Sequence, residues 1–187
     1  MKHLLVLFIF TLSLQSYGQR NYDDWMVNVG INAINSLGTQ SPINSPEDWA
    51  FRHPIAVSVE KGWSELFSIE LAASFNGFEE NVRFDPRPAT EDFTYFGLDT
   101  HIKYYFGEHI FPREDWIDFY GSAGIGMFTI DEANISINAG GGVLVWLNRY
   151  RTFGLRAQII GKFAFDNANS GFDNNHYQYN LQAVFKL

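Results

Sequence analysis

The chain has 187 residues, no cysteine and a formal net charge of −8. Without cysteine it has no disulfide scaffold, thiol nucleophile, zinc–thiolate site or lipoprotein anchor. The acidic balance argues against a nucleic-acid partner, because nucleic-acid binding needs a basic surface. Mean hydropathy is −0.15 and aromatic residues make up 17% of the chain. These values are typical of a protein built from strands in which apolar and polar residues alternate.

The first 18 residues predict a cleaved signal peptide. A basic start precedes an apolar run over residues 4–14, and the small residues Ser16 and Gly18 occupy the −3 and −1 positions of a cleavage site. The alternative is a membrane anchor helix, but a run of about eleven residues is too short for ~30 Å of hydrocarbon. Residues 19–187 are then expected to form one mature domain.

Eight segments of alternating apolar and polar residues follow in the mature chain. Successive side chains of a strand point to opposite faces, so each segment has one apolar and one polar face. The predicted strands span residues 25–34, 55–63, 67–78, 93–106, 116–130, 135–147, 153–165 and 176–187. Strands of this length, tilted by about 40°, match the thickness of a bilayer.

The pattern predicts an all-β fold, an eight-stranded antiparallel up-and-down transmembrane β-barrel. An even number of strands puts both chain ends on one side, which we expect to be the periplasm. Connections in the periplasm are usually short and those outside are long. The periplasmic connections are predicted at 64–66, 107–115 and 148–152, and the outer ones at 35–54, 79–92, 131–134 and 166–175. Two of them break the rule, since 107–115 is long and 131–134 is short.

The rival fold is a soluble eight-stranded barrel of the lipocalin type, in which the apolar face lines a ligand cavity. Periodicity alone does not say which face is inside. The polar face here is rich in glycine, serine and asparagine, which suit the cramped interior of a narrow barrel. Aromatic residues near strand ends, such as Trp25, Trp63, Tyr104 and Phe153, are typical of an interfacial girdle. Both observations favour the membrane barrel.

A set of charged residues lies on the polar face and is expected in the lumen. We call it the predicted lumen network: Glu60, Glu70, Asp99, His101, Lys103, Asp118, Arg156, Lys162 and Lys186. Counting from the inner turns puts five of these at similar depth, namely Glu60, Glu70, Lys103, Asp118 and Arg156. The turn at 64–66 places Glu60 opposite Glu70, so we expect Arg156 or Lys103 between the two carboxylates, or one protonated carboxyl.

The predicted lumen network has two interpretations. One is a gate or proton site. The other is a set of packed ion pairs that fills the lumen, because buried charges need partners. An eight-stranded barrel is only just wide enough for its own side chains. A wide pore is therefore not expected, and a narrow channel is the most that this lumen would allow.

The outer segment 38–54, called loop 1, is the best candidate for specific recognition. It carries Trp49, Phe51 and Arg52, and exposed aromatic residues often mark contact sites. A lid over the barrel mouth or an anchor at the membrane interface is an equally good interpretation. Arginines of the outer loops suit the phosphates of lipopolysaccharide: Arg52, Arg83 and Arg87.

No catalytic residue, cofactor or metal is predicted. His176 has Ser170 nearby in sequence and Asp166 or Asp173 as an orienting acid. This keeps a lipid A-modifying enzyme as an alternative, but the spacing is unspecific and a loop of this composition is normally only a loop. His109 lies among acids in the connection 107–115, where a solvated charged turn is the simpler interpretation than a metal site. That connection is expected to be a second contact surface.

The last strand carries a pattern that the barrel-assembly machinery is expected to read during insertion. Its alternating apolar and aromatic residues are Tyr179, Leu181, Phe185 and Leu187. The final residue is leucine where an aromatic residue is usual. With nothing after Leu187, no peptidoglycan-binding domain is expected.

The mature chain resembles the OmpA/OmpX-like outer-membrane β-barrel family, in the style seen in Bacteroidetes. The resemblance rests on segments 119–126 (FYGSAGIG), 139–143 (AGGGV) and 184–187 (VFKL), on Arg156, and on the signal end 16–19 (SYGQ). It implies an integral protein in the outer membrane of a Gram-negative bacterium, in contact with lipid and lipopolysaccharide. It also implies a structural, envelope-integrity or protein-interaction role with an envelope protein as partner, and no catalysis.

Overall fold

The computed structural model describes residues 24–35, 37, 42–43, 45–82, 89, 91–130, 132–165 and 174–187. Its strands are β1 (Trp25–Ile34), β2 (Ile55–Gly62), β3 (Phe67–Phe78), β4 (Phe93–Tyr105), β5 (Ile117–Ile130), β6 (Glu132–Trp146), β7 (Phe153–Ala164) and β8 (His176–Lys186). A 3-10 turn at Pro46–Asp48 and a short helix α1 (Gly107–Ile110) lie in connections. No helix of the described chain is long and apolar enough to cross a membrane. The predicted signal peptide lies outside the described residues.

The eight strands form one closed barrel in which each strand is antiparallel to its neighbours in the chain. β1 and β8 close it, with a ladder that runs from Met26 opposite Lys186 to Ile34 opposite Gln178. The predicted fold class is confirmed. Most strand ends agree with the predicted ones to within about one residue, but β6 begins at Glu132 because its ladder with β5 continues as far as Ile130. The predicted outer connection 131–134 is therefore wrong, since it belongs mostly to β6.

The faces of the barrel are reversed relative to those of a water-soluble protein. Apolar side chains project outward along all eight strands; for example, Leu71 is 55% exposed and Ile125 is 65% exposed. Polar side chains such as Asn28, Glu60 and Asn138 are fully buried in the lumen. An outward apolar band with a polar interior is the arrangement of a barrel that faces lipid. The lipocalin-type alternative is wrong.

Glycines of β5 differ sharply in the room they leave for a side chain. A Cβ built on Gly124 would lie 1.9 Å from the carbonyl oxygen of Thr100 on β4, which only a shift of the main chain would relieve. A Cβ built on Gly121 meets nothing within 4 Å. The strand therefore needs glycine at Gly124 for close strand approach, whereas Gly121 tolerates a methyl group.

We predict that Gly124→Ala destabilises the barrel by about 1–3 kcal/mol, because the added methyl group forces the β4–β5 ladder apart. Gly121→Ala is the matched control and should leave the free energy of unfolding unchanged or slightly higher. Urea unfolding of both variants in detergent micelles measures the difference. Equal unfolding midpoints for the two variants would contradict the prediction.

Candidate functional site

The centre of the lumen holds two carboxylates and two cations in direct contact. The register of β2 with β3 places Glu60 opposite Glu70. Lys103 Nζ lies 2.9 Å from Glu60 Oε2 and 2.8 Å from Glu70 Oε1. Arg156 bridges the same pair, with Nη2 2.7 Å from Glu60 Oε2 and Nη1 3.1 Å from Glu70 Oε1. We call these four residues, which are all 0% exposed, the central cluster.

The central cluster is charge-balanced and supported by hydroxyl groups. Ser68 and Tyr105 each donate a hydrogen bond to Glu60 Oε1, at 2.5 and 2.6 Å, and Ser58 donates to Glu70 Oε1 at 2.8 Å. Moving isolated ions out of water would cost several kcal/mol each, so burial requires both opposite charges and hydrogen bonds. The arrangement supplies an opposite charge to each of the four residues and hydrogen bonds to most of their polar atoms, but Glu70 Oε2 and Arg156 Nε have no hydrogen-bond partner among the described residues. These hydroxyl groups were not among the predicted network residues, although alternation along the strands places them on the inward face.

A second polar group lies nearer the outer mouth. Lys162 Nζ lies 2.7 and 2.9 Å from the two carboxylate oxygens of Asp99, and Asn138 donates to the same carboxylate at 2.8 Å. The Tyr95 hydroxyl lies 3.0 Å from His176 Nε2. The predicted lumen network is thus divided into the central cluster and this outer pair of Asp99 and Lys162.

His101 lies between the two groups, and two other predicted members lie apart from both. His101 Nδ1 is 3.5 Å from Glu70 Oε2, which is long for a hydrogen bond. Asp118 instead accepts the backbone N–H of Gly107 at 2.8 Å, at the start of α1. Lys186 forms an ion pair with Asp24 at the rim that is predicted to be periplasmic. The structure therefore does not bring Asp118 and Lys186 into the network, because strand ends at the rim find partners in the adjoining connections.

Apolar clusters close the lumen on both sides of the polar groups. The outer cluster contains Ile34, Leu37, Ala50, Phe78, Tyr95, Phe128 and Ile130. The periplasmic cluster contains Met26, Tyr105, Tyr120, Leu144 and Val184. Tyr120 lies beneath the cations, with its ring centroid 4.8 Å from Lys103 Nζ, a cation–π distance. Among the described residues, polar groups therefore occupy the middle of the lumen and apolar clusters lie on both sides of them.

Loop 1 is anchored both inside and outside the barrel mouth. Ala50 pairs with Ile34 through two backbone hydrogen bonds of 3.3 and 2.7 Å, and its carbonyl accepts a bond of 3.0 Å from Asn76. Trp49 stacks on Tyr179 of the outer wall, with ring centroids 4.4 Å apart. Phe51 is 56% exposed. One part of loop 1 is thus a lid, and its aromatic neighbours face outward.

An ion pair joins loop 1 to the next outer connection. Arg52 pairs with Asp92, whose carboxylate also accepts the backbone N–H of Glu80 at 3.0 Å. The Glu80 N–H first, and then Arg52, hold the pKa of Asp92 below its ordinary value of 3.8. Arg83 and Arg87, the other arginines considered for lipopolysaccharide, lie outside the described residues.

The remaining predicted residues lie on outer surfaces or at the edge of the barrel. Leu181, Phe185 and Leu187 are exposed and follow Tyr179 along the outward face of β8. His109 lies beside Tyr104, with ring centroids 6.4 Å apart. Within the described residues no group of three or more histidine, aspartate or glutamate side chains is placed to hold a metal ion.

Solved structures share this fold at low sequence identity. OprG from Pseudomonas aeruginosa matches with a TM-score of 0.61 and 12% identity, over 88% of this chain and 96% of that one. Neisserial surface protein A matches with a TM-score of 0.54 and 8% identity, over 88% of this chain and 95% of that one. The N-terminal barrel domain of Pseudomonas aeruginosa OprF matches with a TM-score of 0.51 and 15% identity, over 87% of this chain and 97% of that one. No protein-family model matches the chain, and no curated protein matches it significantly.

These similarities settle the class of fold. The fold is that of an outer-membrane β-barrel. The outward apolar band is the physical feature that a membrane requires of such a fold. Fold and band together place the chain in an outer membrane, as predicted, and they leave its specific task to the chemistry of the lumen and the rims.

We predict that Arg156→Ala destabilises the barrel by about 3–5 kcal/mol, because it leaves two buried carboxylates with a single cation. Adding Glu70→Gln should restore part of the loss, since the remaining charges are again balanced. Lys186→Gln is the control and should cost about 0–1 kcal/mol, because its ion pair is partly exposed. Thermal or urea unfolding in micelles provides the comparison, and an Arg156→Ala variant as stable as the parent would contradict the pairing.

We predict that the Asp92 contacts weaken as the pH falls below 3.8. The pKa of Asp92 is lowered in the folded protein, so the carboxylate contributes its contacts above the ordinary pKa and loses them as the pH falls through the folded one. Arg52→Gln should raise the pKa only part of the way to 3.8, because the Glu80 N–H remains. Carbon NMR of the Asp92 carboxyl group, followed as a function of pH, measures its pKa in the parent and in the Arg52→Gln variant. Lys186→Gln is the control, and a pKa unmoved by Arg52→Gln would refute the role of the ion pair.

Proposed function

We propose that this protein is a non-catalytic outer-membrane barrel with a structural or protein-interaction role, whose contact surface is the outer mouth around loop 1. The observation that carries the proposal is the packed lumen. The central cluster is fully buried, and apolar clusters lie on both sides of it. Among the described residues this arrangement leaves no open path for a solute past the central cluster, so we assign contacts with other molecules to the rims and the outer wall.

The exposed part of loop 1 supports the outer mouth, rather than the opposite end of the barrel, as the proposed contact surface. A lid needs only the residues that enter the mouth, such as Ala50 of loop 1, which is buried, as is Leu37 directly before the loop. Phe51 follows Ala50 directly and faces away from the mouth. The Trp49–Tyr179 stack and the Arg52–Asp92 ion pair hold the loop on either side of it. A fixed loop that presents an aromatic side chain is suited to a partner, because little ordering is needed on binding.

The proposed partner is a protein of the cell envelope, and lipid and lipopolysaccharide surround the barrel. The barrel-assembly machinery is proposed to read the outward residues of β8 during insertion. Tyr179, Leu181, Phe185 and Leu187 all lie on that face. The central cluster has a structural role in this proposal, since it links β2, β3, β4 and β7 across the lumen.

The two alternatives have less support. A lipid A-modifying enzyme needs its histidine on the lipid-facing rim, whereas His176 is buried in the lumen, where it contacts Tyr95 and the carbonyl of Asn174. Ser170, Asp166 and Asp173 lie outside the described residues. A narrow channel needs a water path past Glu60, Glu70 and Arg156, and these side chains are 0% exposed.

We predict that an envelope protein co-purifies with the tagged barrel from native outer membranes in mild detergent, and that Phe51→Ala removes it. Trp63→Ala is the matched control, because Trp63 is a similarly exposed aromatic residue at the opposite end of the barrel. Mass spectrometry identifies the bound protein. A barrel that purifies alone would refute the partner, and equal loss in both variants would refute the assignment to loop 1.

A further inference from the structure

The connection between β6 and β7 is a rigid turn that presents an aromatic residue between two arginines. Its tip reads Arg149, Tyr150, Arg151, and Tyr150 is 85% exposed. Asn148 fixes the turn with its side chain. Its Oδ1 accepts the backbone N–H groups of Thr152 and Phe153 at 2.9 and 3.2 Å, and its Nδ2 donates to Thr152 Oγ1 at 2.7 Å.

The backbone of Arg151 is in a conformation that is energetically unfavourable for an arginine. Its φ is 53°, in the left-handed region that glycine occupies freely and that residues with a Cβ disfavour. Arg151 is exposed, so packing among the described residues does not require an arginine at this position. A backbone conformation of this kind can be retained for a function of the side chain, which motivates the search for a ligand of the two arginines.

The charges of the two arginines are available. Among the described residues neither Arg149 nor Arg151 has an ion-pair partner. Asp118, the acid whose charge interacts with Arg151, already accepts the N–H of Gly107. The turn is therefore a small cationic site, although the whole chain carries a net charge of −8.

The position of the turn identifies its surroundings. It begins and ends at Leu147 and Phe153, which belong to the outward apolar band and are joined by a backbone hydrogen bond of 2.9 Å. A turn this tight extends about two residues beyond the band, roughly 7 Å. The headgroup layer of a bilayer is about 5–8 Å thick on each side. The turn lies at the same end of the barrel as Trp25 and Lys186, which is the end predicted to face the periplasm, so we place it at the inner leaflet.

We propose that the Arg149–Tyr150–Arg151 turn is a binding site for the phosphate of an anionic phospholipid in the inner leaflet. Guanidinium groups bind phosphate oxygens through paired hydrogen bonds, and tyrosine favours the headgroup level, where its ring is partly apolar and its hydroxyl is solvated. The site is independent of loop 1 and of the partner proposed for it.

The test is the lipid selectivity of the full barrel in bilayers of equimolar phosphatidylglycerol and phosphatidylcholine, with the lipids retained by the protein identified by native mass spectrometry. The wild-type barrel should retain phosphatidylglycerol in preference. The double variant R149Q/R151Q should reduce that preference by about fivefold for each arginine removed. Arg113→Gln is the control, because it removes an exposed arginine from another periplasmic connection and should change nothing.

A second variant separates binding from folding. Arg151→Gly relieves the left-handed backbone, so it should leave the thermal midpoint unchanged or higher while it lowers the preference for phosphatidylglycerol. Unchanged preference in R149Q/R151Q would overturn the proposal. Equal loss in Arg113→Gln would also overturn it, since the effect would then be diffuse charge. Loss of a co-purified periplasmic protein by R149Q/R151Q, with lipid selectivity intact, would overturn it in favour of a protein partner.

Discussion

Every backbone N–H and C=O group in the hydrocarbon layer must be paired within the protein, and the remaining features of this molecule follow from that requirement. A sheet satisfies it only when no edge is left, which the ladder between β1 and β8 achieves. Closure with eight strands then sets the width of the lumen. Alternation along each strand sends apolar side chains to lipid and polar ones into this narrow space, so polar groups become the core.

A polar core of this kind has to balance its own charges. Glu60 and Glu70 are neighbours on β2 and β3, and neither strand brings a cation to them. Lys103 comes from the adjacent β4, whereas Arg156 comes from β7, on the far wall of the ring. The Arg156 contacts therefore join opposite walls, a role that apolar side chains fill in soluble barrels. The four charged side chains are fully buried, and a low local dielectric constant strengthens ion pairs in such a position.

The strands, their order and the Glu60–Glu70 juxtaposition were predictable because a period of two and a tight turn determine them locally. The contacts of Asp118 and Lys186 were not predictable. Counting along a strand gives the face on which a side chain lies, but it does not give the partners that adjoining segments offer at the rim. The apolar clusters were missed for a different reason. Alternation places Tyr95 and Phe128 on the inward face, but it does not tell which inward side chains pack together. The pairing of Ala50 with Ile34 has no periodic signal at all, since loop 1 is positioned by Asn76 and the mouth it covers.

The two ends of the barrel differ in how the residues that leave the barrel wall are held. At the outer mouth, the chain covers its own opening, and the residues that do not enter it are held by stacking and an ion pair. At the periplasmic end, the turn after β6 is fixed by Asn148 but leaves its arginines without ion-pair partners among the described residues. Backbone conformation alone would favour glycine at the left-handed position of Arg151. Inside the lumen each charged residue of the central cluster is matched by a partner, so the unmatched charges at this rim are better explained by a contact outside the chain than by the folding of the barrel.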